Sequence, residues 1–338
     1  MGIVLWDWPP LGLVSLPAVF YRSTDPVPHG AGARMADNVL YYRDNLVEHF
    51  PTLPELPWDS FGPRLVDILV ATYNKLDREW PAKWHAYPNA QVLMEGTART
   101  VSNTYHTIRI LSSSKPQPPI MREDALSVGP LSRTILDSLF MVIFVFHDLP
   151  TRNAWYWRSG WRSLWEELQR YIGAHGTDPA FADFITGQRQ WLDSTAARYG
   201  LSPAEIANPR LVKPWWPHPG RMLKDNRTSP DRLARMQFLN DWYYGQLSAE
   251  SHLSLPGLVM RSTALIPGHD PDELEWRMDK VRSDNFLIAT FMVLAFASEI
   301  EIECRFGLSD RLKYVWTVLA GYAKGAQTLY DKWYSPRL

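Results

Sequence analysis

The residues best suited to chemistry lie in the segment WYYGQLSAESHLSLPG, which runs from Trp242 to Gly257. Within it, Tyr244, Ser248 and His252 follow one another at intervals of four residues. Residues at this spacing advance about 400° around a helix, so the three side chains share one slowly drifting face. Two hydroxyl groups can orient an imidazole for proton transfer, as general acid or base catalysis requires. The alternative is a polar seam between helices, because buried polar groups need partners whether or not chemistry occurs.

A second pair of chemically useful side chains lies in the apolar segment GPLSRTILDSLFMVIFVF. Arg133 and Asp137 are four residues apart there, in surroundings where an unpaired charge would be costly to bury. They either pair with each other or reach the face that carries His252. A guanidinium beside a histidine can bind a phosphate or a carboxylate, because its planar fork holds two oxygens at once. The structural alternative is a plain ion pair.

The sequence lacks the residue patterns of several other chemistries. A metal site needs His, Asp and Glu to converge, and the glutamates at 299, 301 and 303 are instead typical of a polar helix end. The single cysteine, Cys304, cannot form an internal disulfide or a cysteine-based zinc site, and we expect it to be a buried thiol. There is no G-x-S-x-G nucleophile elbow and no glycine-rich phosphate loop. We therefore expect no metal and no cofactor.

Helices must position these candidate residues, because helical periodicity is the main pattern in the chain. The predicted helices cover 33–49, 64–80, 89–111, 130–146, 154–171, 179–199, 230–253, 271–306 and 310–333. Ser229, Pro230 and Asp231 supply a cap, a first-turn proline and an acid at the start of the helix that carries Tyr244. We find no strand alternation and no repeat. The sequence therefore predicts an all-α fold, a multi-helix bundle with the segment Ile135–Phe146 at its centre.

The same patterns predict the domain organisation. Residues 1–32 are rich in proline and aromatic residues, and they indicate an irregular N-terminal arm. Residues 33–338 are predicted to form a single helical domain. A candidate internal boundary lies at 112–123, where the sequence SSSKPQPP disfavours both helix and sheet.

Composition and charge narrow the classes of partner. The 35 Lys and Arg residues nearly balance the 36 Asp and Glu residues, so no overall field draws the chain to a polyanion, although a local basic patch is compatible with this balance. The apolar runs ILDSLFMVIFVF and FLIATFMVLAFA are shorter than the roughly 20 residues that a membrane crossing needs. The N-terminus lacks the basic segment of a signal peptide. We expect a cytoplasmic protein with no membrane partner.

The order of GPLSRTILDSLFMVIFVFHDLP, WWPHPGRM and YYGQLSAESHLSLPG resembles a bacterial all-helical family of unknown function. Members of that family carry an R-x-x-x-[ED] central helix and a later Y-R-x-L-S-x-x-x-H signature. The resemblance covers residues 126–258 and makes Arg133, Asp137, Tyr244, Ser248 and His252 the matching site positions. The chain departs from the signature at position 245, where it has glycine instead of arginine.

This family is in turn loosely similar to HEPN proteins, helical dimers that often cut RNA without a metal through an R-x(4–6)-H motif. A second match to that motif is YYRDNLVEHF, in which five residues separate Arg43 from His49. There the histidine would move the 2′-hydroxyl proton and the arginine would stabilise charge on the phosphate. An exposed amphipathic helix end explains this pair more simply.

The resemblance implies a metal-independent ribonuclease of a toxin or anti-phage defence system, acting as a homodimer. The alternative is a non-catalytic helical binding module that recognises a small anionic ligand or a protein partner. Residue chemistry alone leaves both open.

Overall fold

The computed structural model describes residues 58–112, 127–213, 215–251, 271–321 and 323–338. Side chains are described in these ranges except at 58–62, 246, 249–250 and 271–282. All of these residues belong to one compact unit of the chain. The predicted arm at 1–32 and the predicted helix at 33–49 lie outside the described residues, as does most of the candidate boundary at 112–123.

Helices make up the regular structure of the described residues, which confirms the all-α prediction. The first of them are α1 Trp58–Arg78, α2 Pro88–Leu111, α3 Val128–His147, α4 Leu149–His175 and α5 Ala182–Ala196. They are followed by α6 Pro203–Ala207, α7 Pro219–Met222, α8 Pro230–Leu239, α9 Gly245–Ser251, α10 Pro271–Cys304, α11 Ser309–Ala320 and α12 Lys324–Leu329. Two π-helical turns, Asn240–Tyr244 and Tyr330–Tyr334, directly follow α8 and α12.

Two apolar helices, α3 and α10, form the centre of the bundle. Every residue is buried from Leu139 to Phe146 of α3 and from Asn285 to Glu301 of α10. A helix that is apolar on nearly every face is stabilised most when other helices surround it. Accordingly α10 packs along α3, α2 and α9 contact other parts of α3, and α1 packs against α2 and α10. The prediction of a central helix at Ile135–Phe146 is confirmed.

A smaller hydrophobic core lies beside this centre, between α4 and α5. It is built from Trp161, Leu168, Ile185, Leu192 and their neighbours. The indole Nε1 of Trp161 donates a hydrogen bond to the backbone oxygen of Leu192 at 3.0 Å, so its polar atom is satisfied. Tryptophan therefore fixes the position of α5 through both packing and a directed contact.

The helix predicted for 230–253 begins as expected but is not regular. Pro230 occupies the first turn after Ser229, although the Ser229 side chain makes no capping hydrogen bond. The π-helical turn Asn240–Tyr244 then separates α8 from α9. In the same way, the helix predicted for 310–333 is divided at Gly321 and ends in the second π-helical turn. Periodicity alone does not reveal an i→i+5 turn, because it shifts the register by a single residue.

The glutamates predicted to form a polar helix end lie at the end of α10. Glu299 and Glu301 are 0% and 2% exposed, so this polar end is buried at both. Glu301 accepts hydrogen bonds from the backbone N–H groups of Phe306 and Gly307 at 3.0 and 3.1 Å. Its carboxylate therefore satisfies the chain where α10 ends, and its burial has a local cause.

Two helices, Val128–His147 and the part Ser283–Cys304 of α10, are long and apolar enough to cross a membrane by length and composition alone. Both are longer than the apolar runs recognised in the sequence. In their most apolar windows, 67% of the first and 94% of the second is buried inside the protein. This burial is typical of core helices, so the pair is weak evidence for a membrane.

Candidate functional site

Arg133 joins α3 to the segment that carries Tyr244. Its Nε donates hydrogen bonds to Oδ1 and Oδ2 of Asp137 at 3.1 and 3.0 Å. Its Nη1 donates to the backbone oxygen of Tyr244 at 3.3 Å, and its Cζ lies 3.4 Å from the centroid of the Tyr244 ring. One guanidinium thus makes an ion pair, a hydrogen bond and a cation–π contact. The sequence left two partners open for Arg133, namely Asp137 and the face that carries His252. Arg133 pairs with Asp137 and also contacts Tyr244, while His252 lies outside the described residues.

Tyr244 meets Arg133 from the end of a π-helical turn. The preceding residue, Tyr243, is buried, and its ring centroid lies 4.9 Å from that of Phe291 on α10. Tyr244 itself is half-buried, and its ring approaches Phe140 of α3 edge-on at 6.0 Å. One tyrosine therefore anchors the turn in the core while the next faces the arginine. π-helical turns inside helices are frequent at functional sites.

Ser248 follows Tyr244 by one turn of α9 and is half-buried. We name Arg133, Asp137, Tyr244 and Ser248 the polar patch. The Arg133 side chain is 13% exposed and the Asp137 side chain 47% exposed, so the cation is packed while its carboxylate faces solvent. The tertiary structure therefore brings Arg133 of one motif against Tyr244 of the other.

The electrostatics of the polar patch favour a neutral phenol beside a fixed cation. Desolvation raises the pKa of Tyr244, and the charge of Arg133 opposes this shift only in part, so the phenol keeps its proton near neutral pH. Desolvation also raises the pKa of Asp137, and Arg133 lowers it. A guanidinium and a phenolic donor suit an oxyanion such as phosphate. Asp137 competes with such a ligand for the same cation.

The remaining predicted site residues fall where the structure is not described. His252 lies just beyond the last described residue of α9, Ser251, whose hydroxyl donates to the backbone oxygen of Leu247 at 2.7 Å. Arg43 and His49 lie outside the described residues as well. The place of His252 on the face of Tyr244 and Ser248, and the R-x(5)-H pair, therefore stay predictions.

Comparison of the chain with models of protein families, with curated proteins and with solved structures found no match. The resemblance to the helical family and to HEPN proteins thus rests on the motifs quoted above.

A second charged cluster, which the sequence reasoning missed, is buried where α8, α10 and the C-terminal turn meet. Arg235 Nε lies 3.0 Å from Glu299 Oε1, and both side chains are 0% exposed. Arg235 Nη1 also donates to Asp231 at 2.8 Å, and Arg337 reaches the same carboxylate. The Tyr334 hydroxyl donates to Glu299 at 3.0 Å. These contacts hold the end of the chain against the centre of the bundle.

The pKa values of this cluster reflect its burial. Desolvation opposes the charged form of Arg235, but the charges of Glu299 and its neighbours outweigh it and raise the pKa of Arg235. Burial, followed by the charge of Glu299, holds the pKa of Tyr334 well above its ordinary value. The cluster therefore stays ionised at Arg235 and protonated at Tyr334. Two signals in the sequence point to it: the i,i+4 pair Asp231–Arg235, and a glutamate two positions after the apolar run of α10.

The described residues offer neither a cluster of metal ligands nor a reactive thiol. Within them, no group of three His, Cys, Asp or Glu side chains is placed to hold a metal ion. Cys304 is buried, as predicted, and desolvation followed by the charge of Glu303 raises the pKa of its thiol. A buried thiol of raised pKa is a poor nucleophile.

Proposed function

We propose that this chain is a metal-independent endoribonuclease of HEPN type, acting as a cytoplasmic homodimer in a toxin or anti-phage defence system. The observation that carries the proposal is the contact between Arg133 and Tyr244, which are 111 positions apart in sequence. This contact joins the R-x-x-x-[ED] motif to the later Y-x-x-L-S-x-x-x-H motif. Tyr244 is half-buried and lies eight positions before His252 in the sequence. A cation that the fold places beside a hydroxyl-bearing helix face is what phosphate recognition needs.

The proposed reaction uses groups of this chain and the substrate alone. His252 removes the proton from a ribose 2′-hydroxyl, and the 2′-oxygen attacks the adjacent phosphorus. The bond between phosphorus and the 5′-oxygen breaks, and the leaving oxygen takes a proton from the histidine. The products are a 2′,3′-cyclic phosphate and a 5′-hydroxyl end. Arg133 stabilises the charge on the phosphoryl oxygens, while Tyr244 and Ser248 orient the reacting groups.

The test is digestion of a mixed RNA pool by the purified protein in EDTA. We expect His252→Ala to lower the cleavage rate by roughly 10²- to 10⁴-fold, because it removes the proton-transfer group. Arg133→Ala should lower it by roughly 10²- to 10³-fold, since a stabilising cation is lost. The matched control is Arg189→Ala, which removes an exposed arginine of α5 and should leave the rate unchanged. Melting curves establish that each variant is folded.

The variants also separate the two histidine candidates. Cleavage that survives His252→Ala but disappears in His49→Ala would move the reaction to the Arg43–His49 pair. Equal cleavage by the wild type and both histidine variants would show that a contaminating nuclease is responsible and would contradict the proposal. Labelled ends carrying a 2′,3′-cyclic phosphate would identify the predicted chemistry.

The second candidate function is a non-catalytic module that binds a small anionic ligand. The observation that favours it is the engagement of Arg133, whose Nε and Nη1 already bond Asp137 and the Tyr244 backbone. A held arginine suits recognition, because little conformational freedom is lost when a ligand binds. Inorganic phosphate should then raise the melting temperature of the wild type but not of Arg133→Ala. A phosphate-dependent shift in a protein that cuts no RNA would favour this function over the ribonuclease.

A further inference from the structure

Basic side chains are concentrated in the connector between α6 and α8, residues 210–227. The formal net charge of the whole chain is -1. The connector alone holds one acidic residue, Asp225, and five basic residues: Arg210, Lys213, Arg221, Lys224 and Arg227. Positive charge is thus localised here, although the whole chain is nearly neutral. Such a local excess is the electrostatic feature that attracts a polyanion.

The single acid of the connector is already neutralised. Arg227 donates hydrogen bonds to Oδ1 and Oδ2 of Asp225 at 2.8 and 2.7 Å, and the buried Arg152 donates to Oδ2 at 3.3 Å. The hydrogen bonds from Arg227 lower the pKa of Asp225 to about 2. This carboxylate therefore serves two guanidinium groups and does not offset the other four cations.

Those four cations face solvent from a firmly anchored segment. The residues that anchor it are buried, and they alternate with the cations along the chain: Val212, Pro217, Pro219 and Met222. The cations are all exposed: Arg210, Lys213, Arg221 and Lys224. In the part of the chain that the structure describes, none of the four belongs to an ion pair, and Lys213 lies 3.8 Å from the centroid of the Trp155 ring. The connector presents fixed, uncompensated positive charge.

The pKa of His218 reflects the same positive charge. It is lowered first by desolvation and then by the charges of Arg221 and Lys224. Both of the charged neighbours that lower it are cations, so Arg221 and Lys224 both act on the His218 side chain.

An exposed tryptophan stands among these cations. Trp215 is 62% exposed, whereas the next residue, Trp216, packs against Trp155 and Tyr156 with ring centroids 5.5 and 5.0 Å apart. The Trp215 indole is therefore exposed to solvent, while the packed Trp216 holds the adjacent backbone in place. Aromatic side chains beside basic ones form stacking platforms for the bases of single-stranded nucleic acids.

The connector and the polar patch both contact one face of α3. Trp216 contacts Phe144 with ring centroids 5.6 Å apart, and Tyr244 contacts Phe140 one turn earlier. Arg133, Asp137, Phe140 and Phe144 follow one another at intervals of four, three and four residues, so they share that face. Asp137 and Phe144 are separated by about 10 Å along the helix axis, a distance that a few nucleotides span. Trp216 of the connector and Tyr244 of the polar patch thus contact the same side of the central helix.

We infer that Arg210, Lys213, Trp215, Arg221 and Lys224 form a binding surface for single-stranded RNA, which we name the basic face. The cations contact successive phosphates and Trp215 stacks on a base. The choice of RNA rests on the proposed ribonuclease function, and the basic face would hold the substrate strand that passes to the polar patch.

The experiment measures binding without cleavage. The probe is a fluorescein-labelled 2′-O-methyl oligouridine of about twelve nucleotides, which covers one typical single-strand site and cannot be cut because it lacks free 2′-hydroxyls. Fluorescence anisotropy with the full chain is followed across a salt series in EDTA. We expect Arg221→Ala/Lys224→Ala to weaken binding at low salt by about tenfold and to reduce the logarithmic salt slope by about 1.4, since two phosphate contacts are lost.

Matched variants separate local from general effects. The control for the cations is Arg170→Ala/Arg189→Ala, which removes two exposed arginines of α4 and α5 and should change neither affinity nor slope. Trp215→Ala should weaken binding roughly 5- to 150-fold through lost stacking, while Trp215→Phe keeps most of the affinity. The aromatic control is Phe184→Ala, because Phe184 is exposed on α5 at 43%. Inorganic polyphosphate, which has no bases, should compete with equal strength in wild type and Trp215→Ala.

Several results would overturn the basic face. They are an absence of probe binding by the wild type, an equal loss in the control double variant, and full affinity in Trp215→Ala. Failure of the two proposals can be told apart. Probe binding without cleavage of ordinary RNA would count against the ribonuclease and uphold the basic face. If both basic-face variants cleave ordinary RNA as fast as the wild type, the result would uphold the ribonuclease and count against the basic face.

Discussion

Arg133 and Arg235 occupy similar local settings but very different environments. Each pairs with an aspartate four positions away on its own helix, and each lies beside a tyrosine that closes a π-helical turn. Arg235 is 0% exposed and also meets the equally buried Glu299. Arg133 is 13% exposed, and its partner Asp137 faces solvent at 47%. The same i,i+4 ion pair is therefore part of the buried core at Arg235 and partly open to solvent at Arg133.

The difference teaches that burial, and not residue spacing, sets the role of such a pair. A fully buried charge must be matched by its partners, because leaving it alone incurs the desolvation penalty in full. A half-exposed carboxylate such as Asp137 keeps water as a substitute partner, so its cation can exchange it for a ligand. On this reasoning Arg235 maintains the fold, while Arg133 is free to take part in function.

The largest effect that this comparison predicts is at the buried pair. Arg235→Met should lower the free energy of unfolding by about 3–5 kcal/mol, because Glu299 is left buried without its cation. The double variant Arg235→Met/Glu299→Leu should regain much of that loss, since two apolar side chains need no partner. Urea denaturation followed by circular dichroism measures both.

A single variant as stable as the wild type would break the comparison, because Arg235 would then behave like a surface arginine. A double variant as unstable as the single one would show that packing around Tyr334 and Asp231, rather than charge, is what the pair maintains.

The two tyrosines sharpen the contrast with a smaller effect. Tyr334→Phe removes the hydroxyl that donates to Glu299 in the core, and we expect it to lower the free energy of unfolding by about 1–3 kcal/mol. Tyr244→Phe keeps the ring under the Arg133 guanidinium and should cost less than about 1 kcal/mol. Parallel urea titrations compare them directly. Equal losses in the two variants would mean that the polar patch is as tightly buried as the core cluster.

The smallest predicted effect is at Asp137. Asp137→Asn should change the free energy of unfolding by less than about 1 kcal/mol at neutral pH, as is usual for an exposed i,i+4 pair. Desolvation raises the pKa of Asp137 in the folded state, so the fold holds this proton more tightly than the unfolded chain does. The free energy of unfolding of the wild type therefore falls slightly as pH rises from the ordinary carboxyl pKa to above the raised pKa of Asp137. The Asp137→Asn variant has no carboxyl group at this position and does not show this decrease.

Denaturation of both proteins between about pH 3.5 and 6 measures this difference. A wild type that gains stability relative to Asp137→Asn over that interval would have the opposite sign. It would show that attraction to Arg133 outweighs desolvation and that the pair is a structural ion pair.

Much of the fold was predictable because it follows from local patterns. The central position of α3 follows from Ile135–Phe146, which is apolar on nearly every face and must be surrounded. The start of α8 follows from Pro230, whose fixed φ suits a first turn. The π-helical turns were not predictable in the same way, because Tyr243 and Tyr334 settle their register through contacts with distant parts of the chain.

The candidate site also has a part that local sequence patterns predict and a part that they do not. The sequence by itself offered Asp137 as one of two partners for Arg133 and predicted that Tyr244 and Ser248 share a helix face, because both expectations depend on i,i+4 spacing. Only the tertiary structure decided that Arg133 meets Tyr244 across 111 positions, and that Arg235 is sealed in the core while Trp215 is open to solvent. Burial is a property of how helices pack. Packing joins residues far apart in sequence, and no local pattern encodes it.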